Sequence, residues 1–212
     1  MRTPNDITQR LLELPLFHAG WVLWLLLGLS VASIAVMIER TAFFRRRKLD
    51  IDSVRRDFSA ALSDNDYKAA ARVLEAFDTL ETNVVLFGLR EHTTGPDAVE
   101  DLMSGLLPKE KERYDAHLDF LASLASSAPF VGLFGTVLGI IRAFNDLAGN
   151  VHEASTAVMS GVAEALVATA VGLLVAIPSL VAFNIFKRSV RGAVNNAHLL
   201  SRLLLAHLKS LS

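Results

Sequence analysis

Residues 120–141 read FLASLASSAPFVGLFGTVLGII, twenty-two positions without a charged side chain. At about 1.5 Å per residue, a helix of that length crosses a hydrocarbon core of roughly 30 Å. Two more blocks share the property, residues 19–38 and 165–186. The chain of 212 residues is 52% hydrophobic and 20% charged, so its apolar residues are concentrated rather than spread. Too little chain remains to wrap three helices that are apolar all round, and the blocks therefore read as membrane spans. The first lies near the N-terminus. Its flank balances Arg2 and Arg10 against Asp6 and Glu13, and the block is long for a signal sequence, so a retained anchor is expected.

Lysine and arginine near the span ends set the orientation. Arg40 and Arg45 to Lys48 follow the first span, Lys109, Lys111 and Arg113 precede the second, and Lys187, Arg188 and Arg191 follow the third. All three clusters fall on one side, which the positive-inside rule makes cytoplasmic. The stretch 145–163 on the other side has no Lys or Arg, only Asp146 and Glu153. Trp21 and Trp24 sit toward the outer end of the first span, where amphipathic rings suit the interface. The N-terminus is thus expected outside and the C-terminus inside.

Between the first two spans, residues 39–119 carry thirteen Lys or Arg and seventeen Asp or Glu. Ile51, Val54, Phe58 and Leu62 recur at helical spacing, and so do Ala70, Val73, Leu74 and Phe77. Ser63-Asp64-Asn65-Asp66 between them reads as a turn and N-cap, giving a helical hairpin. Further helices are expected over 83–92 and 97–107, punctuated by Thr93-Thr94-Gly95-Pro96. Pro108, followed by Glu110 and Glu112, suits the first turn of a new helix running through the second span to about Phe144. Pro129 should kink that helix. Beyond the third span, Val190, Val194, Ala197, Leu200, Leu204 and Leu208 form an apolar stripe. The fold class expected is all-α, with three transmembrane helices of which the second and third are long and extend into a cytoplasmic helical domain. The segments are an outer tail 1–18, spans 19–38, 120–144 and 164–186, a cytoplasmic helical segment 39–119, an outer loop 145–163 and a cytoplasmic amphipathic helix 187–212.

The spans differ in kind. The first is rich in Leu, Val and Ile, as a lipid-facing helix would be. The second places Gly132, Gly135, Thr136, Gly139 and Ala143 at intervals of three and four; the third does the same with Gly161, Ala165, Ala168, Thr169, Gly172 and Ala176. Such rows allow close backbone approach, and they fit either plain helix packing or the wall of a bundle lumen. Thr136 and Thr169 each lie about a turn in from the outer end of antiparallel spans, hence at similar depth. Glu164 at the outer mouth is either a solvated charge at a helix N-terminus or a relay group. Pro178 in mid-span frees the Leu174 carbonyl, which reads as a kink before it reads as an ion site.

The stretches Ala128-Pro129-Phe130-Val131-Gly132-Leu133-Phe134-Gly135-Thr136-Val137-Leu138-Gly139-Ile140-Ile141 and Gly161-Val162-Ala163-Glu164-Ala165-Leu166-Val167-Ala168-Thr169-Ala170-Val171-Gly172-Leu173, with Ala176-Ile177-Pro178, resemble the ExbB/TolQ branch of the MotA/TolQ/ExbB proton-channel family. The resemblance implies a bacterial inner-membrane homo-oligomer, a pentamer, around a single-span partner of the ExbD/TolR type, with a TonB/TolA-like protein as a further partner. It makes the outer side the periplasm. It also implies that proton motive force drives movement, that a partner aspartate carries the proton, and that Thr136, Thr169 and Glu164 line the path. Which process is energised, whether uptake, envelope maintenance or gliding, does not follow. Arg142 stands where the resembled family favours a smaller polar residue; it is expected to snorkel or to pair with Asp146.

Other classes are poorly supported. Net charge is -1, which gives no electrostatic bias toward nucleic acid, and the absence of cysteine excludes disulfides, thiolate metal sites and cysteine nucleophiles. The six His are dispersed, no cofactor or metal is expected, and no nucleophile or phosphate-loop motif occurs. Asp115 and Asp119 are expected on one helix face with His117 pointing away, a solvated cluster. A self-contained channel would need a titratable or ion-binding group inside these spans, and a non-conducting scaffold would need only the small-residue rows.

Overall fold

The computed structural model describes residues 20–149 and 154–211, and among them all regular structure is helical. The tail 1–18, residue 19 and the centre of the stretch 145–163 lie outside the described residues. The helices are α1 (Gly20–Arg46), α2 (Ile51–Ser63), α3 (Tyr67–Glu75), α4 (Leu80–Arg90), a 3-10 turn (His92–Thr94), α5 (Pro96–Asp115), α6 (Leu118–Gly149) and α7 (Ala154–Leu211). Three of them, α1, α6 and α7, are long and apolar enough to cross a membrane. The chain divides into two compact units, residues 1–38 with 120–183 and residues 39–119 with 184–212.

The first unit is built from the apolar parts of α1, α6 and α7. Its core joins Val22 and Leu26 to Leu124, Ala128, Leu138, Val175 and Ala176. Only 17% of the most apolar stretch of α1 is buried, against 39% for α6 and 33% for α7. Helix α1 thus touches the others along one narrow stripe, and Leu27, Val31, Ile34 and Ile38 remain exposed on it. Trp24 is exposed, while Trp21 packs edge-on to Phe134.

The second unit is a soluble-type helical domain whose local signals are strong. Asp50 accepts from the amides of Asp52 and Ser53 to start α2, and Asp66 accepts from Ala69 at 2.8 Å to start α3. Each such cap is worth about 1 kcal/mol. Thr79 and Thr82 form a reciprocal capping box on α4, which therefore begins three residues before the Asn83 start read from the sequence. Gly95, at φ +97°, and Pro96 turn the chain into α5. The core gathers Val54, Phe58, Leu62, Ala70, Leu74, Val84, Val85, Leu89, Val99 and Met103 around Leu200, Leu204, Leu205 and Leu208 of α7. Phe77, expected in this stripe, lies just past the end of α3 and is exposed.

Three sequence readings are corrected here. Pro108 does not begin a helix but lies inside α5, whose start is already set by Pro96. The helix expected to run unbroken from Pro108 to Phe144 is interrupted at Ala116, which is extended, and His117, at φ +62°. For the same reason Asp115 and Asp119 do not share a helix face: Asp115 ends α5 and Asp119 opens α6. Of the two projecting inner helices, only the third is continuous, with α7 running 58 residues through Pro178.

At one corner of the second unit, the Tyr114 hydroxyl accepts from the Leu80 amide at 2.9 Å, and its ring meets Phe43 and Phe44 edge-on. Burial pushes the Tyr114 phenol up to about 12. Close to it, Glu81 in the first turn of α4 is 5% exposed, and one of its carboxylate oxygens is buried without a partner. Burial raises the Glu81 pKa, opposed by bonds from its own backbone, Thr79 and Asn196. The folded state therefore holds this proton more tightly than the unfolded state. The stability it contributes is full below the ordinary carboxylate range and is lost as pH rises through the raised folded value. Thermal melts at about pH 5 and about pH 8 should show wild type losing stability at the higher pH. Glu81→Gln, which keeps the shape and cannot ionise, should remove most of that loss.

Candidate functional site

Helices α6 and α7 meet along the two rows of small residues. A Cβ built on Gly132 would lie 2.7 Å from the Ala168 carbonyl oxygen and 3.0 Å from Thr169 Cα; one built on Gly172 would lie 2.6 Å from the Ala128 carbonyl oxygen. The two backbones are in direct contact there, and no side chain fits between them. The seam continues outward as Gly135 against Ala168, Gly139 against Ala165 and Gly161 against Ala143. Ala165 and Ala176 are buried in the same unit. Between the readings left open by spacing, packing within a single chain accounts for Gly132, Gly139 and Gly172.

This register sets the depth of both threonines. Gly135 faces Ala168 and Gly132 faces Thr169, so Thr136 and Thr169 lie at nearly the same level. Their hydroxyls behave differently. Thr136 is 7% exposed and donates to the Leu133 carbonyl at 2.6 Å, satisfied within its own helix. The Thr169 oxygen is buried without a hydrogen-bond partner. Leaving a buried hydroxyl unpaired costs about 1–3 kcal/mol.

Glu164 is exposed. Helix α7 begins at Ala154, ten residues earlier, so Glu164 is not an N-terminal helix charge, and the dipole effect does not reach it. Arg142 is exposed on α6, and the side chain of Asp146, its expected partner, lies outside the described residues. Sequence reasoning did not single out Ser179, fully buried beside Pro178, which donates to the Val175 carbonyl at 2.8 Å. That bond offers a polar group to the backbone next to the proline. Among the described residues no group of His, Cys, Asp and Glu could hold a metal ion.

The glycine seam can be tested by substitution. Gly172→Ala places a methyl against a backbone carbonyl and should cost about 1–3 kcal/mol, visible as a lower melting temperature and poorer recovery of folded protein. Gly192→Ala, where a Cβ meets nothing within 4 Å, should be neutral or stabilise by about 0.5–1 kcal/mol through helix propensity.

Residues 73–198 match the MotA/TolQ/ExbB proton channel family. The chain is 33% identical over 177 residues to the Tol-Pal system protein TolQ of Pseudomonas aeruginosa, covering 78% of this chain and 76% of that protein. It is 31% identical to the TolQ of Haemophilus influenzae, covering 77% of this chain and 76% of the relative. It is 38% identical over 124 residues to the biopolymer transport protein ExbB of Pseudomonas putida, covering 50% of this chain and 38% of that one. With three apolar helices and a match spanning α6 and the membrane part of α7, the chain belongs to the MotA/TolQ/ExbB proton channel family, in its ExbB/TolQ branch.

Proposed function

We propose that this chain is the wall-forming subunit of a motor driven by proton motive force, in which the proton-carrying carboxylate belongs to a second, single-span protein of the TolR/ExbD type. The observation that carries the reading is the Thr169 hydroxyl, buried at the α6–α7 seam without an acceptor. The oxygen is enclosed by this chain's own helices, so a shift at the seam that opens it to water, or to a carboxylate of another chain, would supply the partner. The sequence supports the same division of labour, because the blocks 19–38, 120–141 and 165–186 hold no charged residue. Glu164, exposed just before the third apolar block, is a candidate entry group and Thr136 a second lining group.

In this reading the chain forms a homo-oligomer, a pentamer, in the bacterial inner membrane, with its N-terminus and the stretch 145–163 in the periplasm and the helical domain in the cytoplasm. The exposed apolar side chains of α6 and α7, among them Phe130, Leu133, Leu166, Leu174 and Ile177, are available to lipid and to neighbouring copies. A TonB- or TolA-like protein would carry the motion onward to the envelope. Protonating the partner carboxylate at the threonine level removes its charge and with it most of the cost of passing an apolar stretch. Proton passage is thereby tied to a step of one protein against the other.

Thr169→Val keeps volume and removes the hydroxyl. It should abolish proton flux in vesicles containing this chain and its single-span partner, leaving the complex intact on gel filtration; Thr169→Ser should restore part of the flux. Full flux in the valine variant, or flux from this chain without a partner, would overturn the proposal.

A further inference from the structure

The basic run Arg45-Arg46-Arg47-Lys48 ends α1, eight residues beyond Ile38, the last residue of the first apolar block. Within the second unit this end faces the loop from α3 to α4. Together they enclose an open cavity of about 340 Å³ lined by Arg46, Arg47, Lys48, Ala76, Phe77 and Asp78. Three cations and one carboxylate share it. The carboxylate is already committed: Asp78 accepts from Asn83 at 3.0 Å and pairs with Arg47 at 3.2 Å and Arg113 at 3.4 Å. The Asn83 amide and the Arg113 and Arg47 charges hold its pKa below the usual carboxylate value. Arg47 is also fixed in place, its guanidinium lying 4.0 Å over the Phe43 ring. Arg46 and Lys48 are exposed, and their charge faces the cavity without a carboxylate of its own. The C-terminal end of α1 opposes an anion there with about half a charge, which the full charges of the cations outweigh.

We propose that this cavity binds the phosphate of an anionic lipid headgroup in the leaflet at the C-terminal end of the α1 span. The ligand chemistry is a phosphate-bearing anion, and two features favour a lipid over free phosphate. The run lies within about two helical turns of the end of a membrane span, where anionic headgroups are concentrated. The lip of the cavity carries Phe77, 40% exposed, an apolar ring suited to the glycerol and upper acyl region and of no use to an inorganic ion. The proposal requires only that α1 cross the bilayer and is independent of the proton pathway.

The test uses the full chain in nanodiscs of phosphatidylcholine and phosphatidylglycerol in equal amounts, with co-isolated lipid measured by mass spectrometry after gentle delipidation. Wild type should retain phosphatidylglycerol in preference. Arg46→Gln with Lys48→Gln should reduce that preference by roughly ten-fold or more, since each juxtamembrane cation is worth about five-fold. Arg56→Gln with Lys68→Gln, which removes two exposed cations outside the cavity, should leave it unchanged. A melting temperature equal to wild type establishes that both variants are folded. Equal enrichment in the cavity variant, or equal loss in the control, would overturn the site. Displacement of bound lipid by millimolar inorganic phosphate would assign the cavity to a soluble anion and overturn the lipid reading.

Discussion

The backbone contact at Gly132 and Gly172 is the constraint on which the membrane unit depends. A carbonyl of one helix can sit 2.6–2.7 Å from where the other's Cβ would stand only because Gly132 and Gly172 have none. In hydrocarbon there is little hydrophobic drive to press helices together, so the gain comes from van der Waals contact over the length of the seam. That contact fixes rotation and axial register at once. It brings Gly139 to Ala165 and Gly161 to Ala143, and it levels Thr136 with Thr169. The core residues Val22 and Leu26 of α1 then pack against a pair already defined.

The second unit follows different rules, those of a charged helical domain around an apolar core. Capped helices and an apolar core supply its stability, and the last turns of α7 form part of that core. Its ion pairs lie mostly at the surface, where pairs such as Arg90–Glu75 contribute little individually. Those with a buried or half-buried member have structural consequences. Arg40, 4% exposed, pairs with Glu39, lies over Phe43 and donates to the Arg113 carbonyl near the end of α5. Asp115, held below the usual carboxylate value by Lys187 and Lys111 against the effect of burial, ties α5 to α7. The break at Ala116 and His117 is thus framed by bonds on both sides, including His117 Nδ1 to Glu39 at 3.2 Å.

Much of this was legible in the residues. Charge-free runs of bilayer length identified the spans, periodicity found the α2–α3 hairpin and its Asp66 cap, and the glycine spacing located the seam. The failures share a cause. Pro108 fits a helix start as well as it fits the interior of α5, and only the position of Pro96 decides between them. Glu164 resembled an N-terminal charge because hydropathy marks where a span leaves lipid, not where its helix begins, which is Ala154. Periodicity extended the stripe to Phe77 although α3 stops at Glu75. The burial of Glu81 had no local signal: an acidic residue in a first helical turn is ordinary, and its surroundings come from Asn196 and Tyr114, far away in sequence. The unpartnered Thr169 hydroxyl was equally invisible, since a threonine in a span normally bonds its own helix, as Thr136 does.

The charge-free interior of the three spans has a consequence for how such a machine is assembled. On the proposed division of labour, a wall with no titratable group at mid-membrane carries no protons by itself. Copies made in excess, or inserted before their partner arrives, would then not short-circuit the membrane that supports them. In that reading conductance switches on with the completed complex, and the order in which its parts are synthesised ceases to matter.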